Sequence, residues 1–141
     1  MMLNVRFATC DDLDEIKTLY DSQRQALGFV LRPSLVESVH KNELLVAWDE
    51  KLVGAVHYHH RRDHQTTLYH IAVQENQRRR GIGAALVSAL IRECQARQAR
   101  CILLKCPQEL LSNQFYKAMG FQLRGQDIGK HRPLNMWVLP L

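Results

Sequence analysis

One stretch of seven residues, Arg78-Arg79-Arg80-Gly81-Ile82-Gly83-Ala84, limits what this chain can fold into more than any other. Before it runs an apolar, strand-like segment, residues 68–73. After it, residues 84–98 repeat apolar side chains at helical spacing. A strand that turns through arginines and glycines into a helix is built to hold an anion. The first backbone N–H groups of a helix have no partner within it, and the helix dipole adds partial positive charge there. Glycine lets the backbone approach a ligand closely and adopt turns that a side chain forbids. Arginine brings charge and a fork of donors matched to phosphate oxygens. The run points to a small molecule bearing a polyphosphate, with one of the three arginines expected to face away from it.

The nucleotide-triphosphatase pattern Gly-x-x-x-x-Gly-Lys-Ser/Thr is absent, and so is Gly-x-Gly-x-x-Gly after the strand. What remains, Arg78-x-x-Gly81-x-Gly83, resembles the acetyl-coenzyme A signature of the GNAT superfamily of N-acetyltransferases, and Ile71-Ala72-Val73 before it strengthens the match. A second stretch, Asn113-Gln114-Phe115-Tyr116-Lys117-Ala118-Met119-Gly120-Phe121, is similar to the superfamily's later signature of an Asn, an aromatic-Tyr pair and then Gly-Phe. The resemblance covers nearly the whole chain. It implies one N-acetyltransferase domain over residues 1–141, of α+β (mixed α/β) class, whose central twisted and mostly antiparallel sheet of six or seven strands is flanked by about four helices. It implies acetyl-coenzyme A as co-substrate, without a metal. The coenzyme would be bound by Ile71, Ala72 and Val73 on the strand and by Arg78, Arg79, Arg80, Gly81, Ile82, Gly83 and Ala84 on the loop. Asn113 is implied to touch the pantetheine or phosphate arm, and Tyr116 to lie near the thioester sulfur. A bulky residue at Gly83 is expected to abolish coenzyme binding while sparing the fold. Homodimers are common among similar proteins, although nothing in this chain marks an interface.

A chain of 141 residues is expected to form one domain with a real core. Its 46% apolar and 23% charged residues argue against disorder. No apolar stretch nears the roughly 20 residues of a membrane span, and residues 1–6 lack the apolar region of a signal peptide. The chain therefore reads as cytoplasmic, with no membrane partner. Cys10, Cys94, Cys101 and Cys106 make no Cys-x-x-Cys and read as reduced, mostly buried thiols. The net charge of +5 suits an anionic ligand as well as it suits nucleic acid.

Along the chain, residues 4–8 read as a strand and Thr9 as a cap with Asp12 behind it. Leu13, Ile16 and Leu19 mark a first helix, and Pro33-Ser34 opens a second that carries Leu35, Val36 and Val39. The intervening residues 23–32 read as a loop or broken helix, a natural substrate lid. Strands follow at 44–48, 52–59 and 66–73. The helix after the arginine loop buries Leu86, Val87, Leu90, Ile91 and Cys94. A central strand at 101–104, a short helix at 112–119 stopped by Gly120, and strands at 121–123 and 134–139 complete the order.

The implied reaction, direct attack of a primary amine on a thioester through a tetrahedral intermediate, sets its own needs. The acceptor is a small molecule or a peptide. A backbone N–H near Ala72 or Val73 could steady the oxyanion, and the Tyr116 hydroxyl is the candidate acid for the departing thiolate. His70 is the candidate base if its strand face, shared by alternation with Leu68 and Ala72, looks into the cleft, and a structural histidine otherwise. Glu43 and Glu109 are weaker candidates, water-mediated deprotonation without a dedicated base is a further route, and Cys106 could support a covalent one. His57 and His59 share a strand face but lack a third metal ligand with convincing spacing. An alternative is a nucleic-acid-binding module in which the arginines track phosphates beside Tyr58 and Tyr69. It is disfavoured because these tyrosines form no evident platform. An acetyltransferase acting on aminoacyl-tRNA lies between the two readings. His59, Arg61, Arg62, Lys130, His131 and Arg132 are expected to form a cationic rim on the acceptor side.

Overall fold

Seven apolar or alternating segments pair into one sheet, in the order β1-β2-β3-β4-β5-β7-β6. The computed structural model describes residues 3–128 and 132–141. The strands are β1 (Asn4–Phe7), β2 (Leu44–Trp48), β3 (Leu52–His60), β4 (Gln65–Val73), β5 (Cys101–Pro107), β6 (Gln122–Ile128) and β7 (Pro133–Pro140). The helices are α1 (Leu13–Asp21), α2 (Arg24–Leu27), α3 (Arg32–His40), α4 (Ile82–Ala96) and α5 (Ser112–Ala118). All neighbouring strands run antiparallel except β4 and β5, which α4 connects in parallel. The α+β class, the mostly antiparallel sheet and the broken helix before α3 match the sequence expectation. β6 is longer than residues 121–123 because it pairs with β7 out to Ile128.

The sheet separates two apolar layers. On one side Leu86, Val87 and Leu90 of α4 pack on Val56, Tyr58 and Leu68, joined by Tyr116 and Phe121 from the α5 region. On the other, Leu13, Ile16, Leu19 and Tyr20 of α1 and Leu35 and Val39 of α3 cover Leu44, Val46, Ala55 and Ala72. A sheet covered on both faces explains why β2 and β3 read as continuous apolar runs.

The topology corrects the expected cationic rim. Gln65 is level with Cys101, and Cys101 with Pro140, so the β3–β4 hairpin bearing Arg61 and Arg62 lies at one end of the sheet. Pro107 is level with Leu134, which puts Arg132 at the other end. Lys130 and His131 lie outside the described residues. Arg61 pairs with Asp63 and Arg132 with Glu109, so part of this charge is neutralised locally.

Asp12 ties the first strand to the first helix. It is nearly fully buried, takes two hydrogen bonds from the Arg6 guanidinium at 2.8 and 3.1 Å, and accepts the Thr9 N–H at 2.8 Å. Burial alone would raise its pKa, but the Arg6 and Thr9 hydrogen bonds outweigh that and hold the carboxyl below its ordinary range. A depressed folded pKa contributes stability above the unfolded value, about 3.9 for Asp, and that stability is lost as pH falls through the folded value. Asp12→Asn is expected to lose about 1–3 kcal/mol at neutral pH, read as a lower urea midpoint. The gap to wild type should narrow as pH falls below about 4.

Candidate active site

β4 and β5 are paired only at Gln65–Cys101, Thr66–Ile102 and Thr67–Leu103, and beyond these pairs they part. A β-bulge starts at the same point. His57 lies opposite His70 and Tyr58 opposite Leu68, which leaves Tyr69 as an extra residue on β4. A bulge bends its strand and resets the alternation of side chains. This corrects the expected face of His70. Leu68 stays in the α4-side core, while His70, opposite His57, shares the α1–α3 side with Ala72. Two β4 carbonyls in the parted stretch are taken by side chains from the α1–α2 region. Tyr20 donates to His70 O at 3.2 Å, and Gln23 Nε2 to Val73 O at 2.9 Å. Tyr20 was missed in the sequence, although it continues the helical row begun by Leu13 and Ile16. Ile71 and Val73 point back to the α4 layer.

At the head of this gap the arginine loop enters α4. Gly81 caps the helix in the left-handed region, φ 75°, with open space where a Cβ would stand. Arg79, with φ 66°, carries the same strain with a side chain attached. Gly83 has a different role from Gly81. A Cβ there would meet the Phe115 ring at 3.3 Å, so this glycine lets α4 and α5 approach each other. Arg80 is already paired: its guanidinium donates to Asp49 Oδ2 at 2.7 Å and to Gln77 Oε1, and so ties the loop to the β2–β3 turn. Arg78 and Arg79 are exposed, without an ion pair among the described residues.

α5 brings Tyr116 to the gap. Its ring is buried against Phe115 and Phe121 at centroid distances of 5.5 and 5.6 Å. Burial pushes its phenol far above the usual range, and the nearby Cys106 adds to this. Tyr20, from the opposite layer, is pushed up by burial and also by Tyr116. Both phenols therefore stay protonated. Asn113 is used internally. Its amide donates to Pro107 O and Leu110 O, both at 2.8 Å, while its oxygen accepts Trp137 Nε1 at 2.9 Å and Asn135 Nδ2 at 3.1 Å. It braces the β5–α5 connection against β7. Cys106 is buried, its Sγ lies 3.3 Å from Ser112 Oγ, and burial raises its thiol pKa. A protonated, enclosed thiol is a poor nucleophile.

The remaining candidates sort by their partners. His70 is half-buried, and burial lowers its pKa, tempered by the Leu27 backbone carbonyl. Its Nδ1 lies 3.4 Å from Nδ1 of His57, whose Nε2 is 2.7 Å from Ser38 Oγ. Glu43 is held by His59 Nδ1 at 3.0 Å and by the His60 N–H, and Glu109 by Arg132. Both weaker base candidates are therefore already paired. Arg132 also donates to Ala26 O of α2, which joins the β6–β7 connection to the expected lid, a link no local pattern announces. His57 and His59 do share the β3 face, but their ring nitrogens face Ser38 and Glu43. Tyr58 is fully buried and cannot stack on a base, so of the two tyrosines only Tyr69 is exposed.

Comparison with known proteins gives this geometry a context. The model of the acetyltransferase (GNAT) family matches residues 10–121. Among curated proteins none matches. Solved structures share the fold. Ard1 from Thermoplasma volcanium superimposes with a TM-score of 0.90 at 15% identity, covering 100% of this chain and 99% of that one. The ribosomal-protein-alanine N-acetyltransferase from Brucella melitensis gives 0.82 at 23% identity, covering 98% and 99%. Rv2747 from Mycobacterium tuberculosis, solved in complex with CoA, gives 0.84 at 20% identity, covering 98% and 99%.

The two loop glycines are expected to fail differently when replaced. Gly81→Ala should cost about 1–2 kcal/mol of backbone strain and leave a folded protein. Gly83→Leu should drive α5 off α4 and lower the melting temperature more than Gly81→Ala does. This contradicts the expectation that a bulky residue at Gly83 spares the fold. Thermal unfolding of the two variants side by side distinguishes the outcomes.

Proposed function

This chain belongs to the acetyltransferase (GNAT) family, and on that premise we propose that it moves an acetyl group from acetyl-coenzyme A to the primary amine of a peptide or small molecule. The observation that carries the reading is the gap between β4 and β5, with Gly81 opening α4 at its head and Tyr116 beside it. The backbone N–H groups of Ile82, Gly83 and Ala84 take the pyrophosphate at the start of α4. Arg78 and Arg79 add charge, and Arg80 shapes the loop through Asp49. The thioester lies along the β4 edge at residues 71–73, where a backbone N–H near Ala72 or Val73 steadies the oxyanion. The amine nitrogen bonds to the carbonyl carbon and the carbon–sulfur bond breaks. The amine's proton goes to His70, the departing thiolate takes the Tyr116 proton, and Tyr116 regains a proton from water as the products leave. Asn113 contributes by fixing the β5–α5 connection; its side-chain bonding capacity is already filled. The Brucella melitensis neighbour acts on a ribosomal-protein alanine, which makes a polypeptide α-amine the first acceptor class to try.

Free-thiol release from acetyl-coenzyme A, measured across alanine-starting peptides, amino acids, polyamines and aminoacyl-tRNA, tests the activity and names the acceptor. Tyr116→Phe is expected to lower kcat about 100-fold with coenzyme affinity retained, and a wild-type kcat would remove Tyr116 from the reaction. Burial holds His70 below its ordinary pKa, so it stays neutral and competent as pH falls through about 6.5. The limb of the kcat profile due to His70 should lie below that value and vanish in His70→Gln. In calorimetric titrations with acetyl-coenzyme A, Arg79→Ala should weaken binding several-fold, more strongly at low salt.

A further inference from the structure

Behind His70 stands a chain of polar groups that the reaction as written does not use. His57 is buried to 3% exposure, yet its ring makes two polar contacts: Nδ1 to His70 Nδ1 at 3.4 Å and Nε2 to Ser38 Oγ at 2.7 Å. The two imidazoles stack at 5.6 Å with planes only 19° apart, held there by the β3–β4 pairing of His57 with His70. Ser38, from α3, and His57 line a groove of about 260 Å³ that opens to solvent. The chain therefore runs from the parted strands through β3 to an exit on the α3 side. An apolar core has no need of two neutral imidazoles in series, since burying polar groups is costly unless each has a partner.

We propose that His70, His57 and Ser38 form a proton relay that carries the acceptor amine's proton from the cleft to water in the groove beneath α3. The inference rests on the reading of His70 as the base. In the competent tautomer His70 carries its proton on Nδ1, toward His57, and leaves its other nitrogen free of the Leu27 carbonyl; it takes the amine's proton there and passes its Nδ1–H to Nδ1 of His57. His57 passes its Nε2–H to Ser38 Oγ, and the original hydroxyl hydrogen of Ser38 leaves to water. Each member gains one proton and loses one, so all three end neutral, with both rings in the other tautomer. The charged or titratable groups around the chain are Glu37 and Lys41 on the α3 side, Glu43 and His59 at the groove, Tyr69 on the bulge and Tyr20 from α1. Burial pushes His57 down to about 4, helped by His70 and His59 and opposed by Glu43. It therefore rests neutral at pH 7, as a transit station must, and holds no trapped charge.

The test needs no known acceptor. Ring ¹⁵N–¹H spectra of the histidines, followed from pH 3 to 9 in the full-length protein, report the tautomer and titration of each ring. His70→Gln is expected to raise the His57 titration, because His70 is one of the groups that hold it down, and His57→Asn to shift the tautomer balance of His70, because His57 is the partner of its Nδ1. Ser38→Ala, a smaller change that protects against misfolding of the histidine variants, should shift the His57 tautomer balance. Wild-type titrations and tautomers in the partner residues of all three variants would mean the groups are uncoupled and would overturn the relay. Once the panel supplies an acceptor, Ser38→Ala and His57→Asn should lower kcat about tenfold while leaving KM for acetyl-coenzyme A unchanged. A wild-type kcat in both, with His70→Gln impaired, sinks the relay and leaves His70 as the base. A wild-type kcat in His70→Gln sinks the base reading itself.

Discussion

The single extra residue that the bulge inserts in β4 is the constraint from which the site follows. β4 and β5 pair up to Thr67 and Leu103, and the bulge at Tyr69 begins immediately afterwards. A parallel pair joined through α4 would otherwise continue to zip, because unpaired backbone groups inside a sheet are costly. The bulge turns β4 away, and Tyr20 and Gln23 then satisfy two of its carbonyls. Loss of strand pairing is thus offset by hydrogen bonds from the α1–α2 region. That leaves a gap into which both layers of the protein reach.

Features set by local chemistry were legible in the sequence. The arginine–glycine turn between an apolar strand and an amphipathic helix announced the opening of α4. Arg80 is the loop arginine that pairs with Asp49, just beyond the end of β2. Features set by register or topology were not legible. Strict alternation put His70 with Leu68, and no local pattern marks Tyr69 as the inserted residue. The cationic rim failed because loops rich in arginine look alike in sequence, whereas β5 and β7 place them at opposite ends of the sheet. The resemblance implies a coenzyme contact for Asn113. The structure assigns the Asn113 amide to Pro107, Leu110, Asn135 and Trp137, partners that converge only after folding.

Desolvation separates the two chemistries of the cleft. Groups inside it are held neutral: burial lowers His57 and His70 and raises Tyr20, Cys106 and Tyr116. Full charge stays on the exposed loop, at Arg78 and Arg79. A neutral interior suits proton transfer between an amine and a thiolate, because a fixed interior charge would favour one protonation state throughout the cycle. A charged exterior suits capture of an anion that remains largely in water.

The loop is also prepared in advance of any ligand. Arg79 sits in a left-handed conformation that favours glycine, and nothing nearby in sequence compels it. The ion pair from Arg80 to Asp49 and the cap at Gly81 fix the residues that follow, so the fold holds the strain at Arg79 in place. A flexible arginine loop would have to be ordered when the anion arrives, and each immobilised side chain would cost about 0.5–1.5 kcal/mol of binding. Here the turn is ordered by contacts to β2–β3 and α5. The first N–H groups of α4 therefore point outward already, and their attraction for phosphate goes into affinity without being consumed in building the site.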